Sequence, residues 1–167
     1  STPAGPQACY VKVVAADAVQ VSWASPHSVL PILNYSVRMK KRGDTEWQNL
    51  DFSTGMLVIL GSGTPIPANT HQCRVKGLRS GIQYEVSIGA YNAVGWGENS
   101  QPSQVGIFAP EAPEIPIVSA VAADAVQVSW ANPHSVLPIL HYTVRMKKHG
   151  DTEWQNLDFN TGMLVIL

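Results

Sequence analysis

The strongest constraint in this sequence is that it contains much of itself twice. Val14–Leu60 aligns with Val121–Leu167 at an offset of 107 residues, and only five of the 47 aligned pairs differ. Those five are Ser25/Asn132, Asn34/His141, Ser36/Thr143, Arg42/His149 and Ser53/Asn160. Each exchanges polar for polar, so every apolar position is unchanged. A period this long denotes repeated domains and not a solenoid of short units. Residues 61–107 have no counterpart in the second copy, which stops at Leu167 inside an apolar run. With Ser1-Thr2-Pro3 at the other end and no basic-then-apolar leader, both ends read as cuts from something larger.

Within a copy the hydrophobic period is two. Val19, Val21 and Trp23 alternate with Ala18, Gln20 and Ser22, and Tyr35, Val37 and Met39 alternate with Ser36, Arg38 and Lys40. Further along, Tyr84, Val86, Ile88 and Ala90 alternate with Glu85, Ser87, Gly89 and Tyr91. Such segments are strands with one dry face and one wet face. Gly and Pro punctuate them at Pro26, Pro31, Gly43, Gly55, Gly61, Gly63, Pro65, Gly77, Gly81, Gly95 and Gly97, and no stretch carries a 3.6-residue stripe. About seven strands per copy predict an all-β sandwich.

Charge and composition narrow the function. Eleven basic residues against twelve acidic ones leave a net charge of −1. No long-range field therefore recruits nucleic acid or an anionic lipid surface. The longest apolar run, Met56–Leu60, is far too short to span a bilayer, so no membrane insertion is expected from this segment. Cys9 and Cys73 lie 64 residues apart with no second ligand pair between them, which suits two unpaired thiols, Cys73 as a small buried apolar residue.

At this point the residues carry a resemblance. Val21-Ser22-Trp23 with Pro26, Ile32-Leu33-Asn34-Tyr35-Ser36-Val37 and the turn Gly43-Asp44-Thr45-Glu46-Trp47 resemble the second to fourth strands of a fibronectin type III domain. Leu78-Arg79-Ser80-Gly81-Ile82-Gln83-Tyr84 resembles its tyrosine corner, and Ala90-Tyr91-Asn92-Ala93-Val94-Gly95-Trp96-Gly97 its sixth strand and the loop beyond. The resemblance implies a seven-stranded, immunoglobulin-like β-sandwich with Trp23, Tyr35, Leu78 and Tyr84 in its core. Met56–Thr70 departs from the pattern, being longer and richer in Gly and Pro than the family places before its fifth strand.

The domain organisation follows. Residues 3–109 form a complete domain, 110–115 a Pro-rich linker that is stiff and extended, and 116–167 a truncated second copy supplying its first four strands only. Detached hairpins are marginal in water. The second copy is therefore expected to be poorly stable alone, or to borrow complementary strands from another molecule in strand-exchanged self-association.

Candidates for chemistry dissolve on inspection. Gly61-Ser62-Gly63 lacks the G-x-S-x-G spacing and the strand-to-helix turn of a nucleophile elbow. Gly95-Trp96-Gly97-Glu98-Asn99-Ser100 shares only two glycines with a dinucleotide fingerprint and has no helix N-terminus to hold a phosphate. His27, His71, His134, His141 and His149 occur singly, without a second ligand at metal spacing. No catalytic residue, cofactor or metal is expected.

Recognition is the remaining possibility. The loops His27-Ser28-Val29-Leu30-Pro31 and Ala93-Val94-Gly95-Trp96-Gly97 meet at one end of this sandwich type and are apolar for loops. His27, Val29, Leu30, Val94 and Trp96 are therefore candidate contacts for a protein partner, the plainer alternative being that they cover the core or an adjoining repeat. Arg42-Gly43-Asp44 resembles the integrin attachment tripeptide, although Gly-Asp is also ordinary turn chemistry and the second copy has His149-Gly150-Asp151. Asn34-Tyr35-Ser36 is an N-glycosylation triplet, used only if the chain is secreted.

The expectation is a non-catalytic spacer and protein-interaction module of a larger tandem-repeat protein. The family's commonest settings favour an adhesion, receptor or matrix role and an extracellular or cell-surface location. Two alternatives are an accessory spacer in a secreted multidomain hydrolase and an intracellular scaffold repeat of the muscle type, the latter favoured slightly by unpaired cysteines.

Overall fold

A computed structural model describes residues 1–167 and contains strands but no helix. The backbone groups into two compact units, Ser1–Leu137 and Pro138–Leu167.

The first unit contains the sandwich. One sheet has the order β1 (Tyr10–Ala15), β2 (Ala18–Ser22), β7 (Gln72–Val75). The other runs β10 (Ser103–Gly106), β8 (Gln83–Asn92), β3 (Asn34–Lys41), β4 (Gln48–Leu50), β5 (Leu57–Ile59). Two short strands attach to it, β6 (Ile66–Pro67) on β3 and β9 (Gly95–Trp96) on β8. All pairings are antiparallel, as a hairpin-rich chain requires. The alternation read from the sequence sets the two faces: Val19, Val21, Tyr35, Val37, Met39, Val86 and Ile88 are no more than 1% exposed, and they meet Trp23, Leu50, Leu78 and Tyr84 in one core. Each such side chain stabilises the fold by about 1.5–3 kcal/mol relative to its exposed state.

The departure at Met56–Thr70 has a structural resolution. Met56–Leu60 adds β5 outside β4, and the Gly/Pro-rich return lays β6 beside the start of β3, where β4 no longer reaches. The all-β sandwich expectation is thus met, with three short strands beyond the seven.

Tyr84 closes the lower end of the core. Its hydroxyl accepts the Arg79 N–H at 3.0 Å, the Gly81 N–H donates to Ile107 O at 2.8 Å, and the Leu78 N–H donates to Asp17 O at 2.9 Å. One loop therefore ties both sheets to the last strand. Cys9 and Cys73 are both buried and unbridged, and burial pushes the Cys73 thiol up to about 12, with Cys9 adding to the rise. Both thiols are packing residues in the interior of the sandwich.

Residues of the second copy adopt the same local pairings with far less cover. β11 (Ile117–Ala122) pairs with β12 (Ala125–Ser129) in the register of β1 with β2, including the irregularity before the turn. In the second unit β13 (Arg145–Met146), β14 (Gln155–Asp158) and β15 (Met163–Ile166) form a meander. Val19 is fully buried and Tyr35 is 1% exposed, whereas Val126 is 44% and Tyr142 41% exposed. β3 is eight residues long where β8 pairs along its whole length, and its near-identical counterpart β13 keeps two. Sequence alone is nearly constant here, so the difference measures what β7, β8 and β10 contribute.

Replacing Tyr84 by Phe should lower the urea unfolding free energy by about 1–2 kcal/mol, the usual result of stranding a partly buried N–H. An unchanged midpoint would show that the corner hydrogen bond is dispensable.

Candidate functional site

The upper end of the sandwich is organised by Asn92, the last residue of β8, which is fully buried. Its Nδ2 donates to Ser28 Oγ at 3.0 Å and to Ser1 O at 2.9 Å, while its Oδ1 accepts the Val94 N–H at 2.9 Å and the Gly95 N–H at 3.4 Å. One amide thus joins the β2–β3 loop, the β8–β9 turn and the segment preceding β1. Ser28 in turn donates to Leu30 O at 2.5 Å, and Ala4 donates to His27 O at 2.9 Å. Gly97 must be glycine for a spatial reason, because a Cβ there would collide with the Pro3 carbonyl. Sequence reasoning registered Asn92 only as part of a motif. Its buried position beside two loop donors was the missing information.

This scaffold fixes where the candidate contacts go. Val29 is 75% and Val94 57% exposed at the loop end, with Leu30 partly covered and the His27 ring exposed. Trp96 takes a different direction. On β9 it packs against Tyr91, ring centroids 5.1 Å apart at 48°, and leans over Gly89 on the outer face of the larger sheet. There it lines a groove of about 500 Å³ together with Ser36, Arg38, Asn49 and the Gly61-Ser62-Gly63 loop. The structure therefore links Val94 to the Ser28–Leu30 loop through Asn92, and places Trp96 on the neighbouring sheet face.

The far wall of that groove is held by Asp51. Its Oδ1 accepts Ser53 Oγ at 2.8 Å, and the Ser53 and Thr64 N–H groups at 3.1 Å each. Asn49 Nδ2 reaches Ser62 O at 3.4 Å from the same side. The Ser53 hydroxyl and the Thr64 amide hold the Asp51 carboxyl down at about 2. The Arg38 guanidinium, whose pKa burial lowers, lies 4.9 Å over the Trp47 ring.

The other candidates fall elsewhere. Arg42, Gly43 and Asp44 form an exposed tip between β3 and β4, with Gly43 at φ +90°, the Asp44 N–H on Lys41 O at 3.0 Å, and Lys40 Nζ on Asp44 O at 2.9 Å. His149-Gly150-Asp151 reproduces this turn, including Lys147 Nζ on Asp151 O at 3.0 Å. Asn34 points outward at the start of β3 but is half-buried, standing between Tyr91 and Pro67 in register. Sequence spacing also missed a Ser25–Tyr35–His71 cluster. Ser25 Oγ lies 2.9 Å from Tyr35 Oη and 2.7 Å from His71 Nε2, and it anchors the Tyr35 ring against Trp23. Only the fold brings His71 there, through the Trp23 N–H to His71 O bond of 3.0 Å. No three His, Cys, Asp or Glu side chains are grouped to hold a metal, and no helix is long and apolar enough to cross a membrane.

With this geometry in place, the comparisons assign the class. The profile of the Fibronectin type III domain matches residues 4–106, and the chain belongs to that family. It is 28% identical over 173 aligned positions to human cardiac-type myosin-binding protein C, covering 98% of this chain and 13% of that protein. It is 32% identical over 106 residues to the titin homolog of Caenorhabditis elegans, covering 63% of this chain and a vanishing share of that protein. Among solved structures, a crystal structure of domains from titin superposes with a TM-score of 0.52 at 20% identity, covering 65% of this chain and 33% of that one, which is a likeness of fold. The chain thus spans a small part of the curated relatives it matches.

These relatives correct one expectation. Extracellular or cell-surface location followed from the family's commonest settings, but myosin-binding protein C and titin are sarcomeric proteins of the cell interior. The resemblance to the family was sound, and the inference from family to compartment was not. What stands is a fibronectin type III module similar to repeats of muscle proteins.

The Asp51 carboxylate gives a pH test of the groove wall. A carboxyl held low in the folded state stabilises the fold above its unfolded value of about 3.9. That contribution is lost as pH falls through about 2. Asp51→Asn should therefore lower the denaturation midpoint at pH 6 and converge with the unsubstituted chain near the acid end of that window. Coincident curves at every pH would mean that the charge is not what Ser53 and Thr64 hold.

Proposed function

We propose that this chain is a non-catalytic spacer and protein-contact segment of a larger tandem-repeat scaffold, of the intracellular filament type represented by myosin-binding protein C and titin. The supporting observation is the joint one of a closed sandwich with a rigidly framed, partly apolar end and long repeat proteins of muscle as relatives. In this reading the core spaces neighbouring domains, and the partner is another protein, met by two adjoining surfaces. Val29, Leu30 and Val94 contact it at the loop end. Trp96 and Arg38 contact it across the groove on the sheet face. Half-exposed Trp beside a cation and rigid loops is the composition that dominates protein-interface energetics.

The relatives favour this scaffold role over the adhesion or receptor one, and the Arg42-Gly43-Asp44 tip is read as turn chemistry. Residues 116–167 are read as the opening strands of a second domain of the same kind.

Co-sedimentation with myosin filaments tests the partner class. Trp96→Ala combined with Val29→Asp should weaken association about tenfold or more, the size of effect expected for an interface Trp. Its melting temperature should stay within a few degrees of the parent's. Unchanged sedimentation overturns the proposed surfaces, and a large fall in melting temperature makes these residues structural.

A further inference from the structure

The groove on the outer face of the larger sheet holds one charged side chain and nothing to answer it. Of the residues lining its volume of about 500 Å³, Arg38 alone is ionisable. Its guanidinium makes no hydrogen bond or ion pair within the chain, and its Nε is buried without a partner. A donor buried in that way costs the fold unless something else accepts from it, and so calls for an explanation.

The neighbours that could have served are committed elsewhere. Asn49, opposite Arg38 on β4, gives its Nδ2 to Ser62 O, and Ser87, opposite it on β8, gives its hydroxyl to Ser100 O at 2.8 Å. Lys40, two residues along the strand, has Glu85 at 3.2 Å. The Asp51 carboxylate is turned to Ser53 and Thr64. Trp47 lies against the guanidinium, which cannot swing out into water without giving up that cation–π contact. The platform recurs where Arg145 lies 5.1 Å over Trp154, so the local hairpin suffices to build it. Burial lowers the Arg38 pKa, as a cation short of both water and counter-ion requires, yet an arginine stays charged throughout.

We propose that this groove seats a carboxylate, the side chain of a glutamate or aspartate in an extended segment of the protein partner, accepting from Arg38 Nε while the apolar flank of that segment covers Trp96. The proposal rests on reading the groove as a protein contact, and it names the chemistry recognised there. Charge selects the occupant. A monoanion matches one unpaired cation, and the guanidinium fork can meet both oxygens of a carboxylate at once. A phosphate group near neutral pH carries close to two negative charges and would leave one unanswered, because Lys40 is spent on Glu85. A neutral amide accepts from Nε but leaves the positive charge without a counter-ion. A lone carboxylate in solution gains little from one such pair. Half-exposed Trp96 supplies the apolar area that a peptide segment needs in addition.

Three probe peptides test this on the full 167-residue chain: acetyl-Leu-Val-Glu-Val-Leu-amide, and its counterparts with glutamine or phosphoserine at the centre. The reporter is the Arg38 Nε–H resonance, assigned by its loss in Arg38→Gln. The glutamate peptide should move it downfield and bind about tenfold or more tightly than the glutamine peptide, the range for a hydrogen bond between charged groups. Arg38→Gln should erase that preference. Where Arg38→Gln fails to fold, the two peptides on the unsubstituted chain decide alone. Equal binding of the two, binding of neither, or an unmoved Arg38 resonance overturns the proposal. Tighter binding of the phosphoserine peptide than of the glutamate one overturns it as well. Co-sedimentation separates this from the partner reading. Glutamate preference without filament association removes myosin filaments as the partner and leaves the carboxylate seat. Filament association beside equal peptide binding keeps the partner and removes the seat.

Discussion

The burial of one amphipathic half against the other is the constraint on which everything else in this molecule rests. β2 and β3 have the alternation of half-buried strands, but alternation only prepares a face. β7 and β8 convert it into a core by lying against both sheets' central strands, and the internal near-duplicate shows what the same residues do without them. A strand of eight residues becomes one of two, and side chains at the limit of burial become widely exposed. Local propensity cannot account for that contrast, since the sequences scarcely differ. Long-range contact does.

Much of the fold was legible because the period-two pattern, the tyrosine corner and the Gly/Pro punctuation are local signals with a direct backbone meaning. The residues expected in the core are there, Trp23, Tyr35, Leu78 and Tyr84 included. What escaped was set by register across the sheets. His71 lies far from Ser25 in sequence and one hydrogen bond away in space. Met56–Thr70 stood out only as longer and richer in Gly and Pro than the family pattern, because β5 and β6 are short segments without an alternating run of their own. The two loops at the upper end were expected to form one patch, yet Trp96 leaves it for the sheet face because its strand partner is Tyr91.

The compartment is a different kind of failure. Nothing in strand pattern or turn chemistry records the redox environment or the address of the parent protein, and a sandwich of this class serves many settings with one core. The buried, unbridged cysteines are compatible with a reducing interior, but the correction came from relatives and not from packing.

Asn92 has a mechanical meaning beyond its role as a loop clamp. Its amide holds the carbonyl of Ser1 on one side and the β8–β9 turn on the other, with Pro3 lodged against Gly97. Tension applied through the segment ahead of β1 would reach this knot before the sheets, so the β2–β3 loop and the β8–β9 turn would be the first parts of the module to feel the load. In a protein that works under stretch, the same amide would couple the pull on the chain to the shape of the face it offers.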